Sequence, residues 1–176
     1  GNIIRMVGAK PVTFGSITGP SIDHFPFKKE LERSITDKTA AVLFCVTRTW
    51  TGIRDEYSMT LEDVVEVAHS KGIPVIVDAA MCEDLRYPTA AGADLATFSG
   101  GKYVAGPGAS GFICGRKDLI EACELTHSSM ARSMKVGKEE MAGLITALEQ
   151  YEKRDWGKWA SPVTTREQAT KYAIYI

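Results

Sequence analysis

Apolar runs of strand length alternate along this chain with segments that keep helical spacing. Thr39 to Val46 (TAAVLFCV), residues 73–78 and residues 93–99 each read as a buried strand, and Ser110 to Cys114 as a fourth. A shorter strand is expected over Ala9 to Phe14. Thr60 to Ser70 carries Leu61, Val64, Val65 and Ala68 at helical spacing. Thr60 is its expected N-cap, Asp63 completes a capping box, and Gly72 is a natural residue past its end. Further helices are expected over Phe27 to Ile35 and Lys117 to His127, with a short helical or irregular piece through Ala91. A long helix is expected over Val136 to Asp155, with Met141, Leu144, Ile145 and Leu148 on one face. The alternation predicts an α/β fold with a mainly parallel sheet and helices on both faces. In such sheets ligands sit beyond the carboxyl ends of the strands.

With 176 residues and 44% hydrophobic content, the chain is long enough for a substantial core. Its 21 Lys+Arg against 22 Asp+Glu give a net charge of -1, so no basic excess points to nucleic acid. No apolar segment approaches the roughly 20 residues that span a bilayer. Cys45, Cys82, Cys114 and Cys123 show neither CxxC spacing nor a companion histidine cluster, which gives no zinc pattern. Cys45 and Cys114 lie in apolar runs and are expected to be small buried hydrophobes, in a reducing cytoplasm. The tail 156–176 turns polar and aromatic without building a second packed unit.

Two residues carry chemistry. Asp78 ends the run IPVIVD, and Lys102 follows the next strand in Ser99-Gly100-Gly101-Lys102. The arrangement suits pyridoxal 5'-phosphate (PLP): a lysine for the Schiff base and an acid for the pyridinium nitrogen. A surface lysine and a turn-capping aspartate are the plain alternatives. Against them, glycines on both sides of Lys102 let backbone approach a bulky ligand. Ala80, two residues beyond Asp78, is small enough for a ring to lie flat. Ser99 either reaches a phosphate or closes a local turn.

Gly106 to Gly111 matches GxGxxG formally, but a strand follows instead of a helix, so the dinucleotide reading fails. His24, His69 and His127 are scattered, with no ligand-like partners. Arg48, Trp50 and Arg54 cluster after the strand 39–46, where arginine can grip a carboxylate or phosphate; a solvated loop fits equally. The basic run Arg132 to Lys138 reads as a solvated entry to the long helix.

The runs VDAAMCEDLR, GADLATFSGGKYVAGPGASGFICGRKDLIEAC and RSMKVGKEEMAGLITALE resemble PLP-dependent enzymes of fold type I. Within these the chain looks like the branch of L-seryl-tRNA selenium transferase and D-glucosaminate-6-phosphate ammonia-lyase. The resemblance covers most of residues 1–155. It implies Lys102 as the imine-forming lysine, Asp78 as the pyridinium partner, Ala80 against the ring and Ser99 near the phosphate. It further implies a homodimer or larger ring with shared active sites. The large domain then runs over 1–155, incomplete at both ends, and 156–176 begins a small domain or tail. The implied activity is a lyase acting on an amino-acid-like or amino-sugar-acid substrate by Cα deprotonation and β-elimination, with Arg48 and Arg54 as candidate anion contacts. A selenium transferase, or a non-catalytic subunit of the same fold, is the alternative.

Overall fold

Val42, Val75, Val77 and Ala96 belong to three short strands whose alternate residues bury one sheet face, and this face organises the domain. The computed structural model describes residues 2–14, 28–46 and 59–155. Its elements are α1 (Asn2–Met6), α2 (Lys28–Ser34), β1 (Val42–Cys45), α3 (Leu61–Ser70), β2 (Val75–Asp78), α4 (Tyr87–Ala90), β3 (Leu95–Ser99), β4 (Gly111–Gly115), α5 (Lys117–His127), a 3-10 turn (Met130–Met134) and α6 (Lys138–Glu152). The sheet order is β1-β2-β3-β4, with β1, β2 and β3 parallel and β4 antiparallel to β3. This is the expected mainly parallel sheet with helices. The reversal at β4 follows from the loop 100–110, which turns straight back beside β3.

α3 forms as its sequence dictates. Thr60 accepts from the Asp63 N–H, and Asp63 accepts in return from the Thr60 N–H, closing the capping box. Leu61, Val64, Val67 and Ala68 are buried against the sheet side that carries Val75 and Val77. Gly72 ends the helix at φ +70°, a conformation that a side chain resists. Lys28 ties α2 to α3 through Asp63 at 2.8 Å and Glu66 at 2.7 Å, an exposed pair of contacts of small energetic weight.

Three expectations need correction. Residues 9–14 form no strand: among the described residues they find no partner ladder, and an isolated extended segment leaves its backbone groups to water. α6 spans Lys138–Glu152 and buries Leu144 and Ala147, whereas Met141 and Ile145 are 39% and 59% exposed. The helix is rotated toward its small residue because it packs on a glycine-rich loop. Cys45 is exposed, not buried, because it faces the opposite side of the sheet. That side is the more open one, with Leu43 52% and Ile113 37% exposed. No helix among the described residues is long and apolar enough to cross a membrane.

Candidate active site

Asp78 is the last residue of β2, in register with Cys45 of β1 on one side and Thr97 of β3 on the other. Side chains at paired positions of neighbouring strands share a face about 4.8 Å apart. The three therefore stand side by side at the carboxyl end of the sheet, on its open face. The Ala80 N–H donates to Asp78 Oδ1 at 3.0 Å, which fixes the carboxylate as the chain turns away. The Ala79 N–H pairs with the Thr97 carbonyl at 2.9 Å, and Thr97 Oγ1 donates to the Val77 carbonyl at 3.2 Å. The carboxylate thus starts from a rigid strand end.

Lys102 sits in a tight turn three residues past β3. The Ala105 N–H returns to the Lys102 carbonyl at 2.9 Å, and the Gly106 N–H to the Gly100 carbonyl at 2.7 Å. Gly101 has to be glycine here, since a Cβ would lie 2.7 Å from the Gly108 Cα. Tyr103 and Val104 are buried and anchor the turn, while Lys102 itself is half-buried.

Asp78 at the end of β2 and Lys102 on the turn that leaves the neighbouring β3 lie at the same end of the sheet. Partial desolvation at the strand end pushes the Cys45 thiol pKa up, the neighbouring Asp78 adds to this through its charge and a hydrogen bond, and the positive charge of Lys102 opposes them. Both charged groups therefore act on one thiol at the end of β1. Ser99 is half-buried, lies two residues from Thr97 on the same strand, and pairs through its backbone with Gly111. Ala80 is half-buried beside Asp78. Arg48, Trp50 and Arg54 lie outside the described residues.

The acid, the amine and an open sheet face suit a flat, protonated aromatic aldehyde: Lys102 to bond its carbonyl carbon, Asp78 to pair with its ring N–H. A cavity of about 320 Å³ lined by Ser110, Cys123, His127, Met134, Met141 and Leu144 includes neither residue.

Sequence reasoning missed two further features. His69, which was read as having no partner, lies with its Nε2 2.8 Å from Asp94 Oδ2. Asp94 is 6% exposed and also accepts from the Val75 N–H at 2.7 Å and Arg116 Nη1 at 3.0 Å. Burial alone would raise its pKa, but the Val75, His69 and Arg116 donors outweigh it and hold the carboxyl below its ordinary value. This hub fastens the amino ends of β2 and β3, opposite to Asp78 and Lys102. The second missed feature is at the end of α6, where Tyr151 and Arg154 bond backbone in the loops after β2 and β3. An aromatic residue and an arginine three apart at a helix end were the only signal available.

The family model described as SelA: L-seryl-tRNA selenium transferase matches residues 26–167. The chain belongs to this family. It is 42% identical over 153 residues to a D-glucosaminate-6-phosphate ammonia lyase of Salmonella typhimurium (strain 14028s / SGSC 2262), covering 84% of this chain and 37% of that protein. It is 38% identical over 149 residues to a 5'-C-glycyluridine monooxygenase-decarboxylase of a Streptomyces species, covering 85% of this chain and 35% of that protein. A solved structure of D-glucosaminate-6-phosphate ammonia-lyase superposes with a TM-score of 0.74 at 37% identity, covering 99% of this chain and 43% of that one. The family member described here therefore spans well under half the length of these relatives. Its fold is shared with PLP-dependent enzymes of fold type I, including chains at 20–21% identity.

Proposed function

We propose that residues 1–155 are part of the large domain of a PLP-dependent ammonia-lyase-like enzyme, acting on an amino-acid or amino-sugar-acid substrate. The observation that carries this reading is that Asp78 ends β2 and Lys102 lies on the glycine turn leaving the neighbouring parallel strand β3, both at the carboxyl end of the sheet. The 42% identity to a D-glucosaminate-6-phosphate ammonia lyase supports the elimination reading.

When bound, PLP supplies an electron sink for the pair left at the substrate Cα. Lys102 would hold the cofactor through its Nζ and, once freed by the substrate amine, would serve as the general base for the Cα proton. Asp78, oriented by the Ala80 N–H, would pair with the ring N–H of the cofactor. Ala80 leaves room for the ring, and Ser99 is the candidate donor to the cofactor phosphate. Arg48 and Arg54 are the candidate contacts for a substrate carboxylate or phosphate. Loss of the Cα proton to Lys102 and of a β-substituent, which leaves with a proton, would give an enamine, and its hydrolysis by one water would yield a keto acid and ammonia. The enzyme is read as a cytoplasmic homo-oligomer with active sites at subunit contacts, and residues 156–176 as the start of a small domain or tail.

The test is keto-acid and ammonia release by the full-length protein with PLP and a panel of amino-sugar acids and their phosphates. Release from wild type and none from Lys102→Ala supports the lyase. Selenium transfer, the second reading, draws on the family description and predicts tRNA binding that weakens steeply with salt. No visible cofactor band in either protein favours a non-catalytic subunit.

A further inference from the structure

The last turn of α6 and the residues just past it reach both loops that leave the carboxyl end of the sheet. Tyr151 Oη donates to the Glu83 carbonyl at 2.8 Å and accepts from the Leu85 N–H at 3.2 Å. Both partners belong to the segment that follows Asp78. One turn later, the Arg154 guanidinium donates to the Tyr103 carbonyl at 2.7 Å and the Val104 carbonyl at 3.2 Å. These are the two residues directly after Lys102. The two side chains also meet each other, with the guanidinium carbon 5.3 Å from the Tyr151 ring centroid. One short stretch of helix end therefore references the acid-bearing and the amine-bearing loops to the same point.

The packing beneath is built for the same purpose. Val104, Leu144 and Ala147 form a small buried cluster, with Leu85 and Leu148 against it. α6 comes so close that a Cβ on Gly106 would lie 3.1 Å from the Ala147 Cβ, and one on Gly143 would lie 2.7 Å from Pro107. The lysine turn also contains Ala105 at φ 61°, a left-handed conformation that costs a non-glycine residue about 1 kcal/mol. Such a turn holds its shape only when the surroundings impose it. The charged donor of Arg154 sits on the two carbonyls just before that residue.

We propose that Tyr151 and Arg154 are positioning residues that set the placement of Lys102 relative to Asp78, and through it the fit of the cofactor between them. This rests on the PLP reading above. Neither side chain is assigned contact with the reacting atoms. Their effect runs through the Glu83–Leu85 and Tyr103–Val104 backbone. Displacing an anchoring group by about 1 Å is enough to cost on the order of 100-fold in a positioned reaction.

The test uses the full-length protein and reads cofactor binding instead of turnover. Tyr151→Phe keeps the ring and removes both hydrogen bonds. Arg154→Gln removes the paired donors, and Arg154→Lys keeps one. PLP is titrated against each apoprotein, following the visible band of the lysine-bound cofactor and the pH at which that band changes. Thermal unfolding of the apoproteins is measured alongside. The expected result is a Kd for PLP raised at least tenfold in Tyr151→Phe and Arg154→Gln, a displaced band titration, and partial recovery in Arg154→Lys. A purely structural role lowers the apoprotein Tm and leaves both the Kd and the titration where they were; that result overturns the proposal. If Arg154→Gln does not fold, Arg154→Lys decides, and an unchanged Kd there overturns it. A wild type without any band overturns the cofactor reading, and this proposal with it, which is a different failure from a band that all variants share.

Discussion

Asp94→Asn isolates the hub at the amino end of the sheet. The wild-type carboxylate is 7% exposed and accepts from Val75, His69 and Arg116 at 2.7, 2.8 and 3.0 Å. An asparagine placed in the same pose keeps one oxygen for Val75 and His69 but turns its NH₂ toward Arg116, donor against donor. The Arg116 bond is lost and the His69 bond loses its charge assistance. Arg116 is 53% exposed and retains Asp118 at 2.6 Å, so its own rescue by water is easy. With charge-assisted bonds worth about 1.5–3 kcal/mol each, the net loss comes to about 2–3 kcal/mol. In a domain of this size that lowers Tm by about 4–12 °C. The assay is urea unfolding at several pH values, with the midpoint falling and the slope unchanged. The sign with pH follows from the depressed folded pKa of Asp94. Its stabilisation is fully present above the unfolded carboxyl pKa of about 3.9 and is lost as pH falls through the lower folded value. The gap between wild type and variant must therefore close in that acidic window. A gap under about 1 kcal/mol at neutral pH, or one that persists unchanged at the acid end, refutes the argument.

Other substitutions reach different parts of the account. Thr60→Ala removes half of the capping box and should cost about 0.5–2 kcal/mol, read by chemical unfolding, with Thr60→Ser restoring most of it. Gly101→Ala forces a Cβ to within 2.7 Å of the Gly108 Cα, so the Lys102 turn must shift. The expected outcome is a weakened visible PLP band in a protein that still unfolds cooperatively. Cys45 lies exposed between the influences of Asp78 and Lys102, so bound PLP should slow its alkylation by iodoacetamide, followed by peptide mass spectrometry. Equal labelling with and without PLP counts against the cofactor lying over the end of β1.

Much of the fold was legible because local signals agreed with tertiary packing. α3 carried its N-cap, its apolar spacing and its terminating glycine in plain sequence, and α5 begins and ends at the expected Lys117 and His127. Strand direction was not legible, since an apolar run reads the same in both senses. The reversal of β4 depends on the turn chemistry of residues 100–110. The buried face of α6 was misread because hydrophobicity favours Met141 and Ile145, whereas close packing on the glycine loop selects Ala147. Cys45 was misread for a related reason: its run is apolar, but strand alternation from the buried Val42 turns it toward the open face. The strand-end location of Asp78 and the glycine turn around Lys102 were visible from spacing alone. Tyr151 and Arg154 were not, because their partners are backbone atoms 50 to 68 residues away, which no local pattern encodes.

The central claim is tested most directly by borohydride trapping of full-length protein incubated with PLP, followed by peptide mapping. The account predicts a single stable phosphopyridoxyl adduct on the peptide that contains Lys102, absent from Lys102→Ala. An adduct on another lysine, or an unmodified Lys102 peptide under conditions where the visible band is present, contradicts it.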